Sequence, residues 1–167
     1  RFILTINVLV KPELSDSLGY KCLKLPHDLK EEALATIKRF GGKDTGTSGF
    51  EYIIAVFKDT SKVLHCACEI RQEFLKSPLL KKYENLNFNM GISFGQPLTE
   101  KEGFFTKAIQ LSHRLCLIAR DKEIITSKLF KEHSGVDEKV ISQMGLRTLK
   151  AYEQNFINDL VDAIEEN

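Results

Sequence analysis

No stretch of this sequence is apolar for the length that a bilayer-spanning helix needs. The longest runs, Phe2–Val10 and Tyr52–Phe57, are only strand-sized. Charge of one sign is equally scarce. Lys and Arg number 24 against 23 Asp and Glu, a net +1, which gives no electrostatic footprint for nucleic acid or an anionic membrane surface. Any contact with DNA is therefore expected through a domain outside these residues, and no membrane partner is expected. There is no G-x-S-x-G elbow, P-loop, G-x-G-x-x-G or C-x-x-C, which argues against ordinary hydrolases and redox enzymes. Gly46-Thr47-Ser48-Gly49 reads as a turn, and with no helix after it the segment cradles no phosphate. The four cysteines (Cys22, Cys66, Cys68, Cys116) have neither disulfide-framework nor zinc spacing. They read as reduced thiols of a cytoplasmic protein. His65, Cys66 and Cys68 resemble a metal cluster in one dimension only, because on a helix residues 66 and 68 point about 200° apart. An initiating methionine and a secretory signal are also missing, so Arg1 reads as an internal residue of a longer protein.

What is present is the composition of one globular domain: 167 residues, 43% apolar and 28% charged. Phe2–Val10 (FILTINVLV) reads as a buried strand ended by Lys11-Pro12. Residues 27–40 are helical, with Leu29, Ala33, Leu34, Ile37 and Phe40 at three-four spacing and Gly41-Gly42 as the stop. Residues 50–57 form a second strand, entered through a hairpin bending near Gly46–Gly49. Asp59-Thr60-Ser61 offers caps for a helix through Leu75. A strand at 87–94, a helix at 101–119 and a short strand at 123–126 follow, Ser127 capping the last. Residues 149–166 close the chain as an amphipathic helix with Phe156, Leu160, Val161 and Ile164 as its stripe. The order is β-α-β-β-α-β-α-β plus a trailing helix. Its first six elements are the ferredoxin-like βαββαβ order of an α+β sandwich, an order that hosts many functions.

Three stretches resemble the class III adenylate/guanylate cyclase catalytic domain. Phe40-Gly41-Gly42 followed by Ile53-Ile54-Ala55-Val56-Phe57 is similar to that family's "F-G-G … G-D-G-F-x-A-V-F" hairpin. Met90-Gly91-Ile92-Ser93-Phe94-Gly95-Gln96-Pro97 is similar to "V-G-I-x-x-G-x-P". Ile109-Gln110-Leu111-Ser112-His113-Arg114-Leu115, with Glu123-Ile124-Ile125-Thr126-Ser127, resembles "V-N-x-A-x-R-L … G-E-I-L-V-S". The three stand in order, at family-like spacing, over roughly residues 1–133. The resemblance extends to a bacterial subgroup with Gln in the third motif, in which a helix ending "I-E-E-N" leads into an AraC-type helix-turn-helix. In this chain Ile164-Glu165-Glu166-Asn167 occupies that place.

The resemblance implies a reaction that joins the 3′-hydroxyl of a nucleoside triphosphate to its own α-phosphate through two cations held by two aspartates. Asn7 falls at the first aspartate position, and Glu51 (or Phe50, if aligned on Gly49) at the second. The family's ribose-orienting Asn and Arg become Gln110 and Arg114. Its purine-reading positions fall on Phe104 and on Thr47, with Lys43 nearby, and its phosphate-binding lysine is sought at Lys150, where the strands that should carry it are not evident. A neutral amide and at best one carboxylate suit two hard cations poorly, so no metal, no cofactor and no catalytic residue are expected. Gln110 and Arg114 are then vestigial, and Asn7, Glu51 and Phe104 line a vestigial ligand cleft. The plainer readings stand beside these: Arg114 as a surface arginine, Asn7 as a backbone-bonding residue at a bulge, Glu51 as a solvated hairpin residue, and His113 as a plain polar helix residue.

The expectation is thus a cyclase-like domain over residues 1–147, then a helix at 148–167 leading to a DNA-binding domain beyond this chain. Its role would be that of a catalytically inactive sensory and dimerisation module of a transcriptional regulator, a homodimer with an unknown small-molecule ligand. The alternative is a weak or atypical cyclase using Glu51 and Arg114.

Overall fold

The computed structural model describes residues 1–19, 24–45, 52–95, 102–153, 155–157 and 159. The expected hairpin bend, Glu51, Thr47, Cys22, Leu160, Val161 and Ile164 lie outside them, and of Phe104 only the helical backbone is described.

Strand β1 (Phe2–Val10) alternates between two faces of a sheet, and both faces are buried. It pairs antiparallel with β3 (Tyr52–Phe57) on one side and β4 (Leu86–Phe94) on the other. The β1–β4 ladder runs unbroken from Phe2↔Phe94 to Val10↔Leu86, so Asn7 sits in regular strand and the bulge reading is corrected. A two-residue strand, β2 (Lys43–Asp44), edges β3, and β5 (Ile124–Thr126) adds parallel to β4. The far edge is β6 (Arg147–Thr148), parallel to β5 and too short to announce itself in sequence. The sheet order β2-β3-β1-β4-β5-β6 contains the ferredoxin-like strand order at its centre. Mixed α+β architecture is therefore the fold class, as expected.

One face of the sheet packs on helices α2 (Lys24–Arg39) and α3 (Thr60–Lys76). Phe2, Leu4, Ile6 and Val8 of β1 meet Leu29, Ala33 and Ile37 of α2 and Val63, Ala67, Ile70 and Phe74 of α3 in one apolar core. Each large side chain fully buried there contributes about 1.5–3 kcal/mol. Asp59 caps α3 as its type predicts, accepting from the Lys62 amide at 3.1 Å. Four short helices, α1 (Pro12–Leu18), α4 (Pro78–Lys82), α6 (Lys128–Ser134) and α7 (Glu138–Gln143), connect the larger elements. Helix α5 (Glu102–Ile118) lies on the opposite face of the sheet. Residues 151–153 and 155–157 are helical and pack beside α5 through Ile157, which is fully buried. Phe156, one residue of the expected stripe, is 56% exposed in the single chain, while the charged Glu153 of the same helix is buried.

The motif glycines that carry the resemblance each answer a packing demand. Gly41 ends α2 with φ at +78°, a conformation a side chain would strain. A Cβ on Gly42 would stand 2.5 Å from the Phe57 ring, and one on Gly91 would stand 2.7 Å from Leu115 Cβ.

Candidate functional site

Ile3, Thr5 and Asn7 project from β1 toward α5, since every second residue of a strand shares a face. This face differs chemically from its opposite. Thr5 donates to Ser112 Oγ at 2.6 Å, and Ser112 donates to the Gly91 carbonyl at 3.3 Å. The Cys116 thiol points at the Thr5 carbonyl, 3.7 Å away. Asn89 of β4, almost fully buried, donates both amide hydrogens to the α5 end, to Cys116 O at 2.8 Å and Ala119 O at 3.1 Å. Its Oδ1 is buried and has no partner among the described residues. Helix α5 is thus seated through hydrogen bonds along a line of close backbone approach at Gly91, flanked by two small apolar clusters.

Asn7 is half-buried, with Tyr52 of β3 directly opposite on one side and Asn89 of β4 on the other. Among the described residues, the two strand positions paired with it bear a phenol and an amide. Among the described residues no group of three His, Cys, Asp or Glu is placed to hold a metal ion.

Gln110 and Arg114 occupy one row of α5, as their spacing predicts. Ser112, Leu115 and Cys116 are buried against the sheet, while Gln110 and Arg114 are half-buried on the far side, where Leu117 is 60% exposed. Neither side chain has a hydrogen bond or ion pair with another described residue. Within one chain, then, Asn7 lies beneath α5 and the Gln110–Arg114 row lies on its outside. The two groups are not brought together.

His113, read as a plain polar helix residue, instead stands edge-on to the Tyr52 ring at 4.6 Å, next to Asn7. Burial, and secondarily the Arg114 guanidinium, pushes its imidazole below the ordinary range. No sequence signal links the two residues, because 61 positions separate them along the chain. Of the cysteine-histidine group, His65 is exposed and bonded to Ser61, Cys66 is buried in the apolar core, and Cys68 faces the Met144 carbonyl. Lys43 is exposed on edge strand β2. Lys150 lies two residues beyond the end of β6, so a strand does precede that position, and its Nζ lies over the Tyr152 ring at 5.9 Å.

No protein-family model and no curated protein matches the chain. Solved structures do. The monomeric guanylyl cyclase domain of a rhodopsin–cyclase fusion protein from the aquatic fungus Blastocladiella emersonii superposes with a TM-score of 0.61 at 13% identity, over 78% of this chain and 80% of that one. An adenylate/guanylate cyclase/hydrolase from Silicibacter pomeroyi superposes with a TM-score of 0.59 at 22% identity, over 83% of each chain. The chain has the nucleotide cyclase-domain fold. The active GGEEF domain of a diguanylate cyclase from Vibrio cholerae is also similar, with a TM-score of 0.52 at 16% identity over 75% of this chain and 83% of that one. The α+β architecture expected from the sequence agrees with the fold of these neighbours. Identities of this size speak for the fold alone.

Proposed function

We propose that this chain is a cyclase-like regulatory domain that has given up two-metal chemistry. The observation that supports this most is Asn7. It stands on the central strand at the position where the resemblance calls for an aspartate, and among the described residues it is paired with Tyr52 and Asn89. A neutral amide oxygen gives hard divalent cations little of the negative charge that offsets their dehydration. Gln110 keeps the spacing of the ribose-orienting amide with a longer reach, and Arg114 keeps its charge. In this reading both are vestigial, Asn7, Glu51 and Phe104 mark the vestigial cleft, and the signal passes to a DNA reader that follows residue 167.

Because Gln110 and Arg114 sit on the outside of α5, a second copy of the chain is the surface they would face. The proposal therefore includes a homodimer in which the two α5 helices contribute to the contact. The cyclase neighbours include both a monomeric and a dimeric crystal form of one fungal domain. Incubation of the purified protein with ATP or GTP and Mn²⁺ is expected to yield no cyclic AMP or cyclic GMP by mass spectrometry. Either product would overturn the proposal in favour of catalysis by Glu51 and Arg114. Restoring acids with Asn7→Asp and Glu51→Asp is not expected to restore turnover, because Phe104 and Thr47 stand at the purine-reading positions.

A further inference from the structure

We infer that α5 and the C-terminal helical residues 151–157 are clamped into one body, so that a load on the outer face of α5 is felt at the C-terminal end of the chain.

Two independent ties make the clamp. The first is ionic and begins at Glu153, whose carboxylate is nearly buried at 8% exposure. Arg147 grips it with both terminal nitrogens, at 2.8 and 3.1 Å, a bidentate fork that fixes direction as well as distance. The same carboxylate accepts from the Lys150 amide at 3.0 Å and so caps its own helix. Arg147 reaches on through Nε to Glu123 at 3.0 Å. The other oxygen of Glu123 accepts from the Arg120 amide at 3.1 Å, in the turn that leaves α5. A continuous chain of mostly charge-assisted bonds thus runs from the C-terminal helix through β6 to the turn that follows α5.

The second tie is apolar. Ile157 is fully buried in a cluster with Leu115, Ile125 and Leu149, and Leu111, Ile118 and Ala119 of the α5 segment close it. The first tie holds the C-terminal end of α5 and the second holds its flank, so the two helices cannot rotate relative to each other without breaking one of them. The contact of α5 with the sheet combines apolar packing, Ile109 on Ile3 and Ile54 and Leu115 on Ile125, with hydrogen bonds at Thr5, Ser112 and Asn89, the last with a buried oxygen left unpartnered among the described residues. What loads α5 rests on the proposed role of Gln110 and Arg114; the clamp itself does not.

Amide hydrogen exchange by mass spectrometry on the protein without added ligand tests the clamp. Glu153→Gln touches no residue of α5, so any change in α5 must travel through Arg147 and Glu123. It is expected to raise exchange about tenfold in the peptide covering residues 149–157 and also in that covering 111–119, with α2 and α3 unchanged. Arg147→Lys keeps the charge and loses the fork, and it carries the same expectation if Glu153→Gln loosens the whole domain. Tyr152→Ala, at an exposed position on the same helix, is expected to leave both peptides as in the wild type. Faster exchange in 149–157 with residues 111–119 unchanged would overturn the inference and leave Glu153 a local cap. Cyclic nucleotide formed on incubation with ATP or GTP would remove the reading of the α5 face while leaving the exchange result intact.

Discussion

A single hydrogen atom separates what Gly91 permits from what any other residue would force. Its missing Cβ lets the backbone of β4 approach α5, with Ser112 O 2.8 Å from where the atom would stand. Gly91→Ala is expected to cost about 1–3 kcal/mol in chemical denaturation, since the obstruction includes backbone. His113 behaves differently, as a titrating residue. Its pKa is depressed in the folded protein, so protonation favours the unfolded chain. The sign follows: the contribution of neutral His113 is complete above the ordinary histidine value and is lost as pH falls below it. An NMR titration is expected to place His113 below the ordinary histidine value, and Tyr52→Leu, which removes the facing ring, should shift that value. The thiols of Cys66 and Cys116 are pushed up to about 12 by burial. In the native protein both are expected to resist an aromatic disulfide reagent at pH 8 that reacts with them after denaturation.

Among the elements, those with a long apolar period are legible in the sequence and those that depend on distant partners are not. The nine-residue run of β1 and the spaced apolar residues of α2 and α3 declare both their type and their buried face. Gly41, Gly42 and Gly91 make the resemblance readable because each meets a local demand of the fold, a positive φ at Gly41 and close packing at the other two. For that reason the same motifs say more about architecture than about chemistry. The two-residue strand β6 carries no period at all and exists because β5 offers it an edge. Glu153, a charged residue buried on the C-terminal helix by the Arg147 fork, is likewise announced by no apolar period. In the candidate site Asn7, Gln110 and Arg114 are visible from the sequence. The Tyr52–His113 contact and the buried Asn89 are not, because both arise from strand register. Lowering the pH tests the anchor directly. The Arg147 fork holds the Glu153 carboxyl below the ordinary value, so its stabilising effect is complete above that value and fades as pH falls through the depressed one. The helical residues 151–157 are expected to lose exchange protection on acidification before α3 does. Uniform loss across the domain would contradict this ordering.

For the whole molecule the question is assembly. A homodimer in which α5 faces α5 is expected to show the mass of two chains by light scattering at micromolar concentration. Arg114→Glu and Leu117→Asp, both outside the core, are expected to return it to one chain without lowering thermal stability by more than a few degrees. A strict monomer for the wild type would sink that arrangement. The position of β1 carries a further consequence. The first strand of the chain lies in the middle of the sheet, hydrogen-bonded to Tyr52–Phe57 on one edge and Leu86–Phe94 on the other. During synthesis it emerges from the ribosome before either, yet its second neighbour is not translated until residue 94. For that interval Phe2–Val10 has one bare, strongly apolar edge in the nascent chain, the kind of exposure that chaperones recognise. Anything joined upstream of Arg1 must also leave the sheet at its centre, so a fusion at that end bears on folding yield far more than a tag placed on the short outer strand β2 or β6.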